Sequence, residues 1–368
     1  MSAVGLSLTI HMSSPASESC ILCSKMRAFD FSAMVAALTL WAVPVADLAI
    51  GERIRRRRGY WVGSRDMEAT TLRPPFLTAG DTVAIVSPAS WPEESVPGWI
   101  AQRVEAWGLQ AVIAPHALDH RGYLAGSDGD RAADLNDAIR DPEIRAVIAS
   151  VGGCGSFRIV PDVDFDALRA DPKMLVGYSD ITALHQVWNT AGVPSLHGAI
   201  AGTHGEHVRR LLMEDADTVV DSDPGALSAE LTTNGSAEGP LFGGNLEMLA
   251  RAVGVVDFDL AGGIFLLEIT RAAGLGMVDR ALTQLRYSGT LDGVAGVALG
   301  SIDQFAGYED RGWTIVDTLR DHFDALGVPV LGGLPLGHLE DLVTVPLGTR
   351  AVLDVDHGRL TVRSPSGG

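Results

Sequence analysis

Serine, histidine and a carboxylate are the side chains from which proteins build an acyl-transfer site, and one serine here stands out by its surroundings. Gly177-Tyr178-Ser179-Asp180 follows the apolar run Met174-Leu175-Val176 and opens an amphipathic stretch over residues 181–190. A strand that turns sharply into a helix with serine at the corner has the geometry of a nucleophile elbow. The glycine lets the turn close, the hydroxyl is pushed clear of the backbone, and the next N–H groups point at whatever sits above. Ser and Asp are equally favoured as helix N-caps, and Ile181 stands where the second glycine of G-x-S-x-G would be. Taken alone, the tetrapeptide reads as a cap, so its partners must decide.

A serine hydroxyl is a weak nucleophile at neutral pH and needs a base, usually His, with a carboxylate to orient it. Glu268 closes the apolar run Gly263-Ile264-Phe265-Leu266-Leu267, where an acid is expensive to place. His338 follows an apolar run over residues 329–337 that ends in a glycine loop. By periodicity alone Glu268 also reads as a strand leaving for water, and His338 as a hydrogen-bonded loop residue. The chain order Ser, acid, His adds little, since triads occur in several orders.

The elements that must position these residues alternate. Residues 81–88, 110–114, 146–151 and 174–178 are short apolar or β-branched runs suited to buried parallel strands, and residues 96–107 and 130–140 read as helices. That pattern is an open α/β sheet, whose ligands sit beyond the carboxyl ends of the strands. Both Gly152-Gly153-Cys154-Gly155-Ser156 and the Ser179 turn fall there. Residues 72–202 are expected to form this nucleophile domain. The polar stretch 203–238 is expected to be a connection, and 239–368 a second α/β region with apolar runs at 263–267, 294–299 and 328–331 and a helix over 277–287.

Composition narrows the function. A formal charge of −18 argues against nucleic acid, which is held through clustered Lys and Arg, and 46% apolar content is enough to bury a core without staples. A small or peptidic substrate is expected. Three cysteines, with Cys154 far from Cys20 and Cys23, build no disulfide framework, and a single C-x-x-C pair is weak support for zinc. Residues 1–71 differ from the rest. Residues 31–50 are nearly apolar and about the 20 residues a membrane span needs, but Pro44 and Asp47 interrupt them, and the Arg53–Arg58 run lies on the wrong side for a secretory signal. A start at Met67, with the upstream residues a gene-model extension or disordered leader, is the preferred reading. Membrane association is expected only if that segment is real, and in every case the globular part is expected in the cytoplasm.

Six segments together resemble the serine LD-carboxypeptidases and the related microcin-immunity peptidases: LTAGDTVAIVSPAS (77–90), YLAGSDGDRAADLNDAI (123–139), GGCGSFRIVPDVDFD (152–166), GYSDITAL (177–184), GPLFGGNLEML (239–249) and GLPLGH (333–338). The resemblance runs over residues 77–361. It implies a Rossmann-like N-terminal domain with a parallel sheet and a smaller C-terminal α/β domain. It also implies Ser179 as nucleophile, His338 as base and Glu268 as the acid that orients it. The backbone N–H of Asp180 and one from Gly152 or Gly153 are then the natural oxyanion donors. No metal or other cofactor is implied, and the family's habit is a homodimer. The activity implied is removal of a terminal D-amino acid from an L,D-linked murein tetrapeptide. The alternative is hydrolysis of peptidyl or aminoacyl nucleotide antibiotics.

Other residues have open roles. Asn245 could bind substrate, brace the site or cap the helix that follows. His197, with His204 and His207, fits no metal-ligand spacing and is expected at a loop or pocket wall. Gly152, Gly153 and Gly155 do not make a dinucleotide loop. Val151 and Cys154 stand where LD-carboxypeptidases commonly carry an arginine and an aromatic. An aliphatic residue at 151 is closer to the microcin-immunity branch, while GLPLGH and the short connection between domains are closer to the carboxypeptidases.

Overall fold

The computed structural model describes residues 72–200, 205–256, 258–270 and 274–366. The expectations for residues 1–71, for Cys20 and Cys23 and for His204 lie outside these. Among the described residues no helix is long and apolar enough to cross a membrane.

Five strands, β1 (Thr82–Val86), β2 (Gln110–Ile113), β3 (Ile144–Ala149), β4 (Met174–Gly177) and β5 (Ser195–His197), pair in parallel in the order 2-1-3-4-5. This is the flavodoxin-like order of a doubly wound sheet, and its topological switch point lies between β1 and β3. Successive side chains point to opposite faces, and both faces are apolar. Val83, Ile85, Ala146, Ile148, Met174 and Val176 pack with helices α1 (Ser95–Ala106) and α6 (Gly205–Met213). Ala84, Val86, Val147, Ala149 and Leu175 pack on the other face with α2 (Asp128–Arg140) and α5 (Thr182–Thr190). Two short helices, α3 (Ser156–Ile159) and α4 (Phe165–Ala170), lie between β3 and β4. Continuous burial of this kind is why these strands read as unbroken apolar runs.

A second sheet of seven strands is mixed. β7 (Ser236–Asn245), β8 (Ile264–Thr270), β9 (Gly296–Asp303) and β12 (Val330–Leu331) run parallel, and β14 (Arg350–Asp354), β15 (Arg359–Val362) and β6 (Thr218–Asp221) continue from β7 antiparallel. Helices α7 (Leu246–Ala252), α8 (Leu275–Tyr287) and α9 (Ile315–Asp324) cover its parallel part through Leu249, Leu282, Leu285, Leu319 and Phe323. Within residues 203–238, α6 covers the first sheet and β6 closes an edge of the second. A further small hairpin joins β10 (Glu309–Asp310) to β11 (Trp313–Thr314).

The two sheets are tied together where it matters for the site. After the loop carrying His338 the chain returns to the first sheet as β13 (Val345–Leu347), antiparallel to β5. On the other side Thr182 of α5 accepts the Asn245 N–H at 3.1 Å, and Gln186 Nε2 donates to the Gly243 carbonyl at 3.2 Å. Gly244 has no room for a side chain there, since a Cβ would lie 2.6 Å from Thr182 Oγ1.

Candidate active site

Ser179 sits at the corner between β4 and a 3-10 turn over Ser179–Ile181 that leads into α5. Its φ is +61°, a left-handed conformation that non-glycine residues rarely adopt and that costs about 1 kcal/mol or more. An ordinary N-cap serine is extended, so this backbone separates the elbow from the cap. The turn is also packed too tightly for a side chain before it: a Cβ on Gly177 would lie 2.7 Å from Ile181 Cγ2.

The glycine loop after β3 lies against this corner. A Cβ on Gly152 would sit 3.0 Å from Ser179 Cβ and 3.3 Å from the Asp180 nitrogen, so a glycine at 152 leaves that N–H uncovered. The loop is anchored at both ends. Ser90, in the loop after β1, donates its N–H to the Gly152 carbonyl at 3.2 Å and accepts the Cys154 N–H on Oγ at 3.1 Å. Asp180 accepts the Ser156 N–H on its carboxylate at 2.8 Å, and its carbonyl accepts the Ser156 hydroxyl at 2.6 Å. The Asp180 side chain thus holds the loop, and its nitrogen lies beside Gly152 at the Ser179 corner.

Glu268 lies inside β8 and is fully buried; the strand runs on through it to Thr270. This replaces the strand-exit reading: the carboxylate is satisfied inside the protein. One oxygen accepts from Asn245 Nδ2 at 3.0 Å, and the other is 2.8 Å from His338 Nδ1. An ionised carboxylate can only accept, so His338 carries its proton on Nδ1 and leaves Nε2 as a base. Thr270 Oγ1 is 3.1 Å from the same Nδ1, and Ser301 Oγ accepts the His338 N–H at 3.0 Å. Gly337, at φ +99°, permits the approach, because a Cβ there would be 2.6 Å from Glu268 Cβ. The Glu268 hydrogen bond raises the His338 pKa above its ordinary 6.5 against the opposing effect of burial. The imidazole lies 5.2 Å from the Tyr178 ring, beside the residue that precedes Ser179.

Asn245 serves as both cap and brace. Its Oδ1 accepts from the Glu247 and Met248 N–H groups at the start of α7, and its Nδ2 is committed to Glu268. His197, expected at a loop or pocket wall, lies instead in β5 and is 1% exposed. Its ring is 5.7 Å from that of His185, which meets the Gly177 carbonyl at 2.9 Å through Nε2; burial lowers the pKa of both imidazoles. Of the arginines that could meet a substrate carboxylate, Arg158 pairs with Asp128 and Arg286 contacts His322, while Arg271 lies outside the described residues. Outside these elements, His116, Asp119 and Asp130 bring ligand atoms within 4.8 Å of one another, but His116 is already bound to Asp119 and Asp130 to the Ser127 cap.

Residue reading missed Ser90, Ser156, Thr270 and Ser301, whose roles depend on contacts between loops far apart in sequence. It also missed Arg131. That residue carried a signal: it falls in register with Leu135, Ala138 and Ile139 on the apolar face of α2, where a charge needs a reason.

Comparison with known proteins agrees over most of the described chain. Residues 83–198 match the family described as LD-carboxypeptidase N-terminal domain, and 238–353 the LD-carboxypeptidase C-terminal domain. A Streptomyces coelicolor protein named as a carboxypeptidase is 39% identical over 311 residues, covering 80% of this chain and 97% of its own length. A Bacillus subtilis protein named as a murein peptide carboxypeptidase is 31% identical, covering 77% of this chain and 91% of its own. In fold, the chain is similar to the crystal structure of an MccF-like protein from Bacillus anthracis, with TM-score 0.70 and 22% identity over 79% of this chain and 99% of that one.

Proposed function

Because the chain belongs to the serine LD-carboxypeptidase family of hydrolases, we propose that it removes the terminal D-amino acid from an L,D-linked murein tetrapeptide through an acyl-enzyme on Ser179. The observation that carries this reading is the conjunction of a serine at φ +61° with a histidine whose Nδ1 is fixed by a buried glutamate. His338 Nε2 takes the Ser179 proton as the hydroxyl attacks the amide carbonyl, and the carbonyl becomes a tetrahedral oxyanion. The N–H groups of Asp180 and of Gly153 or Gly152 receive that charge, each donor supplying about 3 kcal/mol of barrier lowering. His338 then protonates the leaving amine; water, deprotonated by the same imidazole, attacks the ester, and the imidazolium returns that proton to Ser179 Oγ as the shortened peptide departs. Every proton is accounted for within this set of residues.

The choice of a murein peptide follows the naming of the Bacillus subtilis relative. Val151 before the paired glycines favours the second reading, an amide hydrolase of aminoacyl nucleotides of the microcin-immunity kind. Purified protein incubated separately with murein tetrapeptide and with an aminoacyl sulfamoyl adenylate distinguishes them by mass spectrometry. Release of D-alanine from the tetrapeptide is expected; cleavage of the adenylate alone would sink the first reading.

The pH profile tests the base. His338 accepts a proton only when neutral, and its pKa lies above 6.5, so kcat/KM should fall on acidification with a midpoint above 6.5. A midpoint well below 6.5 in the free enzyme would remove His338 from that role.

A further inference from the structure

Arg131 is a cation buried where stability alone would favour an apolar residue. It is 1% exposed, and its Nε has no hydrogen-bond partner among the described residues. Removing an arginine from water and leaving one N–H unmade is costly, and such groups are often replaceable by apolar ones with no loss of stability. Its contacts suggest what is gained. A single nitrogen, Nη1, donates both to the Pro88 carbonyl and, at 2.9 Å, to the Gly155 carbonyl, and Nη2 pairs with Asp128. Pro88 lies in the loop after β1 and Gly155 in the loop after β3, so one guanidinium joins the two loops that meet at the switch point of the sheet.

Gly152, Gly153 and Gly155 give the second loop little stiffness of its own, and Gly153 and Gly155 have φ of +96° and +126°. Its shape therefore depends on its anchors: Ser90 at Gly152 and Cys154, Asp180 at Ser156, and Arg131 at Gly155 between them. Space is closed on that side too, since a Cβ on Gly155 would be 2.5 Å from Leu124 Cδ2 and 3.0 Å from Arg131 Nη1. Asp128 is shared between Arg131 and Arg158, the latter at 2.8 and 2.7 Å, which fixes the far side of the Arg131 guanidinium. Arg158, then Arg131, holds that carboxyl down at about 2, so it stays ionised.

We propose that Arg131 is a positioning residue for the oxyanion side of the site: it fixes the glycine loop against Ser179. This rests on Ser179 being the nucleophile. Such a residue acts when the carbonyl oxygen becomes charged, so it affects the transition state more than substrate binding.

The test compares the full chain with Arg131→Lys and Arg131→Gln, using murein tetrapeptide and counting active sites with a serine-directed phosphonate. Expected is a kcat per titrated site about tenfold lower for Lys and about a hundredfold lower for Gln, with KM within about threefold. A peptide boronate, which forms a tetrahedral adduct, should lose affinity in step with kcat, while the tripeptide product should not. A merely structural role would lower the number of titratable sites and the melting temperature but leave kcat per site unchanged, and that result overturns the proposal. Should Arg131→Gln fail to fold, Arg131→Lys decides by the same measure. Ser179→Ala run beside them keeps the two ideas apart. Activity surviving in Ser179→Ala sinks the nucleophile assignment, whereas an inert Ser179→Ala with undiminished kcat in the Arg131 variants sinks this inference alone.

Discussion

Ser179→Ala should lower kcat toward murein tetrapeptide by roughly 10⁶-fold, with KM and melting temperature nearly unchanged. The size follows from the role: without the hydroxyl there is no acyl-enzyme, and His338 has no proton to take. What remains is oxyanion stabilisation and binding, which alone give a residual rate roughly 10³ to 10⁴ above that in water. Melting should not suffer, because alanine removes one half-buried hydroxyl and keeps the backbone, although φ +61° is strained for alanine too. D-alanine release measured by coupled assay, together with loss of phosphonate labelling, checks this. A variant that retains more than a few per cent of the rate would mean that another group attacks.

Glu268→Gln should be nearly as damaging, by about 10⁴-fold in kcat, for a reason visible in its neighbours. Asn245 presents Nδ2 to Glu268 Oε1, and cannot turn round without giving up the two N–H groups that its Oδ1 holds at the start of α7. A glutamine there must therefore aim its carbonyl oxygen at Asn245 and its NH2 at His338. Nδ1 would then have to accept, and the proton would move to Nε2, the atom needed as base. The substitution is isosteric and removes a buried charge, so the protein should fold. Nitrogen NMR of the His338 ring would report the tautomer directly. A proton still on Nδ1, or kcat within tenfold of the parent, would contradict the argument.

How far the amino-acid sequence carried this site depended on how local each feature was. The strand-turn-helix around Ser179 was legible because an apolar run, a glycine and an amphipathic stretch are adjacent. Whether the turn was an elbow or a cap was not, since that rests on the sign of one φ angle, at a corner where Gly152 meets Ser179 and Gly177 meets Ile181. Glu268 was flagged by its place in an apolar run, yet periodicity favoured an exit to water. Only the pairing with Asn245 and His338, 23 and 70 residues away, makes a buried carboxylate tolerable. Residues 203–238 read as polar because β6 turns only Val220 fully inward, as an outer strand does. His197 read as loop because its strand is only three residues long, too short for a pattern to show.

Strand β13 carries one further meaning. Its three residues cover β5, and the central one, Pro346, opposite Leu196, has no N–H to offer a newcomer. The first sheet therefore ends in a strand that resists recruiting another chain. A product truncated between His338 and Val345 would lose this guard and bare the backbone of β5, whose residues are all buried in the intact protein. Such a fragment would lack β14 and β15 as well, baring β7 of the second sheet, and with two open edges it should aggregate.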